Sequence, residues 1–139
     1  MTKTEVIADT SFVVAVMIST DRWHQRCVDL FNQYDRIYLP QSALAEIAFM
    51  ITRLGGRQAT LYFFQHLNQS PYELVALIPE DIQRTADLLD QYADARPDFV
   101  DLSIVAVAER MNVPRILTLD RRDFEIIRPR HIDHFELLP

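Results

Sequence analysis

Glu5-Val6-Ile7-Ala8-Asp9-Thr10-Ser11 sets the pattern of this chain: a short apolar run cut off by three polar residues. The run predicts a buried strand, and the polar residues after it can cap a helix. The same punctuation returns late in the chain, where Arg115-Ile116-Leu117-Thr118 reads as a strand that ends abruptly at Leu119-Asp120. Between these points the pattern alternates. Residues 12–17 fit one or two helical turns, and Asp21 is placed to cap a helix over 22–33 with Trp23, Cys27, Leu30 and Phe31 at helical spacing. A second strand covers 36–39 and stops at Pro40. Ser42 is the expected cap of the next helix, which stops at Gly55-Gly56. A helix over 57–68, a strand over 72–78 and a helix opening at Pro79-Glu80-Asp81 follow, the last showing Ile82, Ala86, Leu89 and Ala93 on one face. Another helix is expected over 98–111 and a fifth strand over 135–138. Strands separated by helices predict an α/β fold, a three-layer sandwich with a mainly parallel central sheet flanked by helices.

Length and composition narrow the function. The 139 residues predict one domain, 1–139, able to bury a core without disulfides or structural zinc. The two glycines, Gly55 and Gly56, are adjacent, which excludes Gly-rich phosphate cradles. The lone Cys27 points to a reducing, cytoplasmic setting, and neither a secretory signal nor a membrane span is expected. A net charge of −6 argues against a general electrostatic nucleic-acid binder. Its distribution is uneven. Residues 110–131 hold six arginines against three acids, so this arm carries +3 and the remainder −9. Arg121, Arg122, Arg128 and Arg130 in this arm are candidates for phosphate contact, although arginine serves ordinary ion pairs equally well. His131 and His134 lack cysteine neighbours for a zinc site, and Trp23, Phe31, Phe63 and Phe64 read as core or interface rather than as platforms for bases.

In open α/β sheets functional side chains gather beyond the carboxyl ends of strands. Asp9 and Asp120 fall there, Asp101 lies in the first turn of its helix, and Glu46 interrupts the apolar stretch from Ala43 to Ile51. Each has a local explanation as well. Asp9 can cap a helix, Asp101 can partner Asp98 at a helix start, Glu46 can face solvent, and Asp120 and Asp123 can form turns. Taken together, the carboxylates cannot neutralise one another and no lysine is near. Gathered in one cleft they would repel, and a hard divalent cation with oxygen ligands, Mg²⁺ or Mn²⁺, relieves that repulsion.

These segments resemble the PIN-domain nucleases, and among them the VapC-type toxins of toxin–antitoxin systems. The resemblance rests on Val6-Ile7-Ala8-Asp9-Thr10-Ser11, on Ala45-Glu46-Ile47, on the stretch from Asp101 to Arg110, and on the stretch from Ile116 to Phe124. It implies a PIN-like sandwich and a metal-dependent endoribonuclease, with an acidic site of Asp9, Glu46, Asp101 and Asp120. Asp9 and Asp101 would be the principal ligands, supported by Thr118 and by Thr10 or Ser11. Asp123 belongs to the matching motif, and whether it or Asp98 joins the site stays open. The resemblance also implies an RNA substrate, a cognate antitoxin and a second copy of the chain as partners. Three other readings compete. A phospho-accepting receiver-like domain needs a lysine after a late strand, and the only lysine is Lys3; a dehalogenase-type phosphatase needs an acid where Ser11 stands. A non-catalytic α/β binding module leaves Glu46 without a purpose.

Overall fold

The computed structural model describes residues 5–139, so Lys3 lies outside the described residues. Five strands form one sheet: β1 (Val6–Ala8), β2 (Ile37–Pro40), β3 (Tyr72–Val75), β4 (Arg115–Leu117) and β5 (Glu136–Leu138). Every pairing is parallel, in the order β3-β2-β1-β4-β5, with Ile7 opposite both Tyr38 and Ile116. This order differs from the 2-1-3-4-5 arrangement of receiver-type folds, which removes that reading.

Side-chain alternation along the strands divides the core into two layers. Val6, Ala8, Ile37, Leu39 and Leu117 face α1 (Thr10–Met17), α2 (His24–Phe31), α3 (Leu44–Gly55) and α4 (Arg57–His66). Ile7, Tyr38 and Ile116 face α5 (Pro79–Gln91), α6 (Phe99–Met111) and α7 (Arg122–Ile126). The expected three-layer sandwich is therefore present. Within α6, every residue from Asp101 to Ala108 is buried, so this helix is the inner wall of its layer. Gly56 joins α3 to α4 at φ 85°, a conformation that favours glycine and ends the helix where expected. No helix among the described residues is long and apolar enough to cross a membrane.

Several local expectations need correction. Ser42 does not cap α3; it lies in a single 3₁₀ turn over Gln41–Ala43, and its hydroxyl meets the Ser103 hydroxyl at 2.7 Å. Helix α2 begins later than expected because Asp21 forms a turn, accepting from the Trp23 N–H at 2.8 Å. The apolar face of α5 is not its buried face. Ile82 and Leu89 are 49% and 41% exposed, whereas Asp81, Thr85 and Leu88 point inward. The turn expected around Asp120 to Asp123 passes directly into α7.

Candidate active site

The chain leaves β1 into α1 on one face of the sheet and leaves β4 into α7 on the other, so the adjacent ends of β1 and β4 open a crevice. Asp9 stands at this point as the N-cap of α1, with extended backbone (φ −101°, ψ 178°). Its Oδ1 accepts from the Phe12 N–H at 3.0 Å and from the Ser11 hydroxyl at 2.7 Å. Its Oδ2 accepts a short hydrogen bond from the Thr118 hydroxyl. Thr118 in turn accepts from the Asp120 N–H at 2.9 Å, and Ser11 accepts from the Leu119 N–H at 2.8 Å. Two hydroxyls thus fasten the end of β4 to the carboxylate at the end of β1.

Asp101 reaches the same place from the first turn of α6. Asp98 caps that helix by accepting from the Asp101 N–H at 3.4 Å. Asp123 braces the corner: its carboxylate accepts from the Asp98 N–H at 3.1 Å and from Arg122 at 2.8 Å. Asp9 is 2% exposed and Asp101 8%, and no ion pair among the described residues involves either. Burial raises the Asp9 pKa to about 6, against the opposing pull of its Thr118, Phe12 and Ser11 hydrogen bonds. Burial likewise pushes Asp101 well above the carboxylate range, helped by its hydrogen bond to Asp123 and by the charges of Asp9 and Asp98. Each acid therefore resists ionisation while no cation is present.

A cavity of about 800 Å³ opens over these groups, and Asp9, Glu46, Asp101 and Asp120 all line it. Glu46 projects from the first turn of α3 and is partly buried, whereas Asp120 is exposed. The PIN domain family model matches residues 6–128. The chain belongs to the PIN-domain family. Over 137 residues it is 28% identical to Ribonuclease VapC26 of Mycobacterium tuberculosis, spanning 96% of this chain and all of that protein. The crystal structure of M. tuberculosis VapC20, described as a sarcin-ricin loop cleaving toxin, superposes with a TM-score of 0.77 at 17% identity, covering 84% of this chain and 91% of that one. DNA-bound VapBC from Salmonella typhimurium gives a TM-score of 0.71 at 14% identity, covering 97% of each chain. At these identities the two structures show a shared fold.

The donor set of this PIN domain suits a hard divalent cation: it is all oxygen, and its two buried carboxylates lack a counter-charge. Among the described residues, no three or more His, Cys, Asp or Glu side chains are already gathered to hold an ion. Asp9 is held by its hydroxyl donors and shares the cavity wall with Asp101.

Of the expected supporting residues, Ser11 and Thr118 hold Asp9. Thr10 lines the cavity, but its buried hydroxyl has no hydrogen-bond partner. The arginine arm does not converge on the site. Only Arg122 lines the cavity, and it is engaged with Asp123 and the Ala95 carbonyl. Arg121 pairs with Glu125 at 3.0 Å and reaches the Pro139 carbonyl, Arg128 is exposed away from the cavity, and Arg130 lines a separate depression beside α5 and α6. Sequence reasoning overlooked Asp21 and Arg22, which line the cavity from the turn before α2. Nothing in their spacing signals this, because the local bonds that form the Asp21 turn do not specify which way it faces.

Proposed function

We propose that this PIN domain is a divalent-metal-dependent endoribonuclease, the toxin of a type II toxin–antitoxin pair acting in the cytoplasm with Mg²⁺ or Mn²⁺. One observation carries the reading: Asp9 and Asp101, distant in sequence, are buried in one cavity, lack a cation, and each keeps its proton more tightly than an ordinary carboxyl. Family membership and the likeness to a VapC ribonuclease support the substrate class. The VapBC complex among the structural neighbours supports a cognate antitoxin as partner. A second copy of the chain is the other proposed partner. Exposed Phe49 and Leu54, at 62% and 52%, line the rim of the cavity and offer apolar surface for such contacts.

Asp9 and Asp101 would hold the cation, with Glu46 and Asp120 completing the arrangement. Bound there, it supplies positive charge at the scissile phosphate and lowers the pKa of a water. The chain's own contribution is to keep one oxygen-rich corner rigid. Ser11 and Thr118 fix the Asp9 carboxylate by donating to its two oxygens, and the Asp98 cap fixes the start of α6. The buried setting strengthens every charge interaction at the phosphate relative to open water.

The test compares RNA cleavage in Mg²⁺ and in EDTA for the wild type, Asp9→Asn and Asp101→Asn. Chelation should abolish cleavage, and each substitution should reduce it by roughly 100-fold or more, beyond the range seen for partners that only support a ligand. Cleavage that persists in EDTA, or full rates in both folded variants, would reject the assignment.

A further inference from the structure

Trp23 is the only tryptophan in the chain, and it occupies a place where a core residue would be wasted. Its backbone is pinned by the hydrogen bond to Asp21, part of the indole packs against the α1–α4 core layer, and the half-buried ring lines the same cavity as Asp9 and Asp101. The Arg22 and Arg26 guanidinium carbons lie 5.2 and 5.3 Å from its ring centroid. Both arginines are exposed, and neither joins an ion pair among the described residues.

Charge on the cavity wall gives this cluster its meaning. The other charged residues there are carboxylates, apart from Arg122, which Asp123 and the Ala95 carbonyl already occupy. Among the described residues, Arg22 is therefore the uncommitted cation on the wall of a cavity that, on the ribonuclease reading, must admit a polyanion. A half-exposed indole beside free guanidinium groups is a sequence-tolerant grip on single-stranded nucleic acid: a base stacks on the ring and neighbouring phosphates accept from arginine. Both guanidinium groups can swing from the ring to a phosphate, since among the described residues neither has a hydrogen bond or ion pair to hold it there.

We propose that Trp23, flanked by Arg22 and Arg26, is the nucleobase platform of the cleft, stacking one base of a single-stranded RNA near the scissile phosphate. The inference rests on the ribonuclease reading, and its test separates the two. Because no other tryptophan contributes, emission excited beyond the tyrosine absorption band reports on this ring alone. The Asp101→Asn protein in Mg²⁺ is titrated with a short oligoadenylate and with an abasic strand of equal length. Oligoadenylate should quench the emission saturably, less so as salt rises, and the abasic strand should not. In cleavage assays Trp23→Leu should raise KM by about tenfold with little change in kcat, while Trp23→Phe keeps most of the affinity. If Trp23→Leu does not fold, the titration decides the matter, since it needs no change at position 23. Equal or absent quenching by the two strands, or an unchanged KM in folded Trp23→Leu, overturns the platform and leaves the ribonuclease reading standing. A wild type that neither cleaves RNA in Mg²⁺ nor responds to oligoadenylate overturns both.

Discussion

Two parts of this molecule bury acidic side chains, and they treat them in opposite ways. Where α5 packs on α6, Asp81 is 2% exposed and takes two donors from Arg110 at 2.9–3.1 Å, as well as the Ile78 N–H at 3.0 Å. Beside it, Arg84 grips Glu109 through two bonds of 2.7 and 3.0 Å. At the carboxyl ends of β1 and β4, Asp9 and Asp101 are as deeply buried, yet among the described residues neither forms an ion pair. A buried charge is tolerated when paired and is costly when alone. The α5–α6 acids therefore belong to the architecture, and the crevice acids are costly to the fold when ionised without a counter-charge. This contrast, more than the number of acids, separates a site from a structural ion pair.

Substitution should affect the two regions in reverse. Arg84→Ala leaves the buried Glu109 carboxylate with the Arg130 N–H but without its paired cation, and should lower the unfolding free energy by about 3–5 kcal/mol. RNA cleavage per folded molecule should stay near wild type. Asp101→Asn should leave the metal-free protein as stable or more so, while cleavage disappears. Urea unfolding beside cleavage assays checks both halves. A destabilised Asp101→Asn protein would mean that the crevice is as much a structural element as the α5–α6 pairs.

A pH series sharpens the contrast. An ordinary aspartate titrates near 3.8, and burial lifts Asp9 to about 6, so the folded state holds this proton more tightly than the unfolded chain. Its contribution to metal-free stability is complete below about pH 4 and is lost as pH rises through 6, amounting to about 3 kcal/mol. Asp101, also raised, extends the decline to higher pH. Mg²⁺ should oppose the decline, because it binds the ionised acids of the folded state alone. Thermal melts with and without Mg²⁺ between pH 4 and pH 8 would show diverging curves. Curves that stay parallel would show that Asp9 and Asp101 are not where the ion binds.

Much of this was legible in the sequence. Asp9 and Asp120 could be located because apolar runs end just before them, and Glu46 because a charge stands inside an apolar helix. Periodicity failed where a polar pairing overrode it. The Ile82–Leu89 stripe looks like a core face, but α5 is rotated so that Asp81 reaches Arg110 on α6, an attraction between distant residues that spacing along one helix cannot reveal. Ser42 was misread for a similar reason: its partner is Ser103, on another helix, rather than its own helix start. Trp23 reads as core from its apolar character alone. Its half-exposed place on the cavity wall follows from the Asp21 turn, and no pattern in residues 21–26 specifies which way that turn faces.

The smallest expected effect tests how the crevice acid is held. The Ser11 hydroxyl donates to Asp9 Oδ1 and accepts the Leu119 N–H, so it joins the two strand ends while stabilising the ionised carboxylate. Ser11→Ala removes both bonds at a partly buried site and should cost about 1 kcal/mol. The hydrogen bond lowers the Asp9 pKa, so its loss should move that pKa higher still and carry the acidic limb of the cleavage profile upward in pH. A purely architectural serine would lower stability and leave the limb where it was. The α5–α6 region supplies the control, since Thr85→Ala breaks a buried hydroxyl bond of 2.8 Å to the Asp81 carbonyl at a distance from the crevice. Thr85→Ala should reproduce the stability loss without the displaced limb, because its hydroxyl steadies a helix whose buried acid, Asp81, already has Arg110.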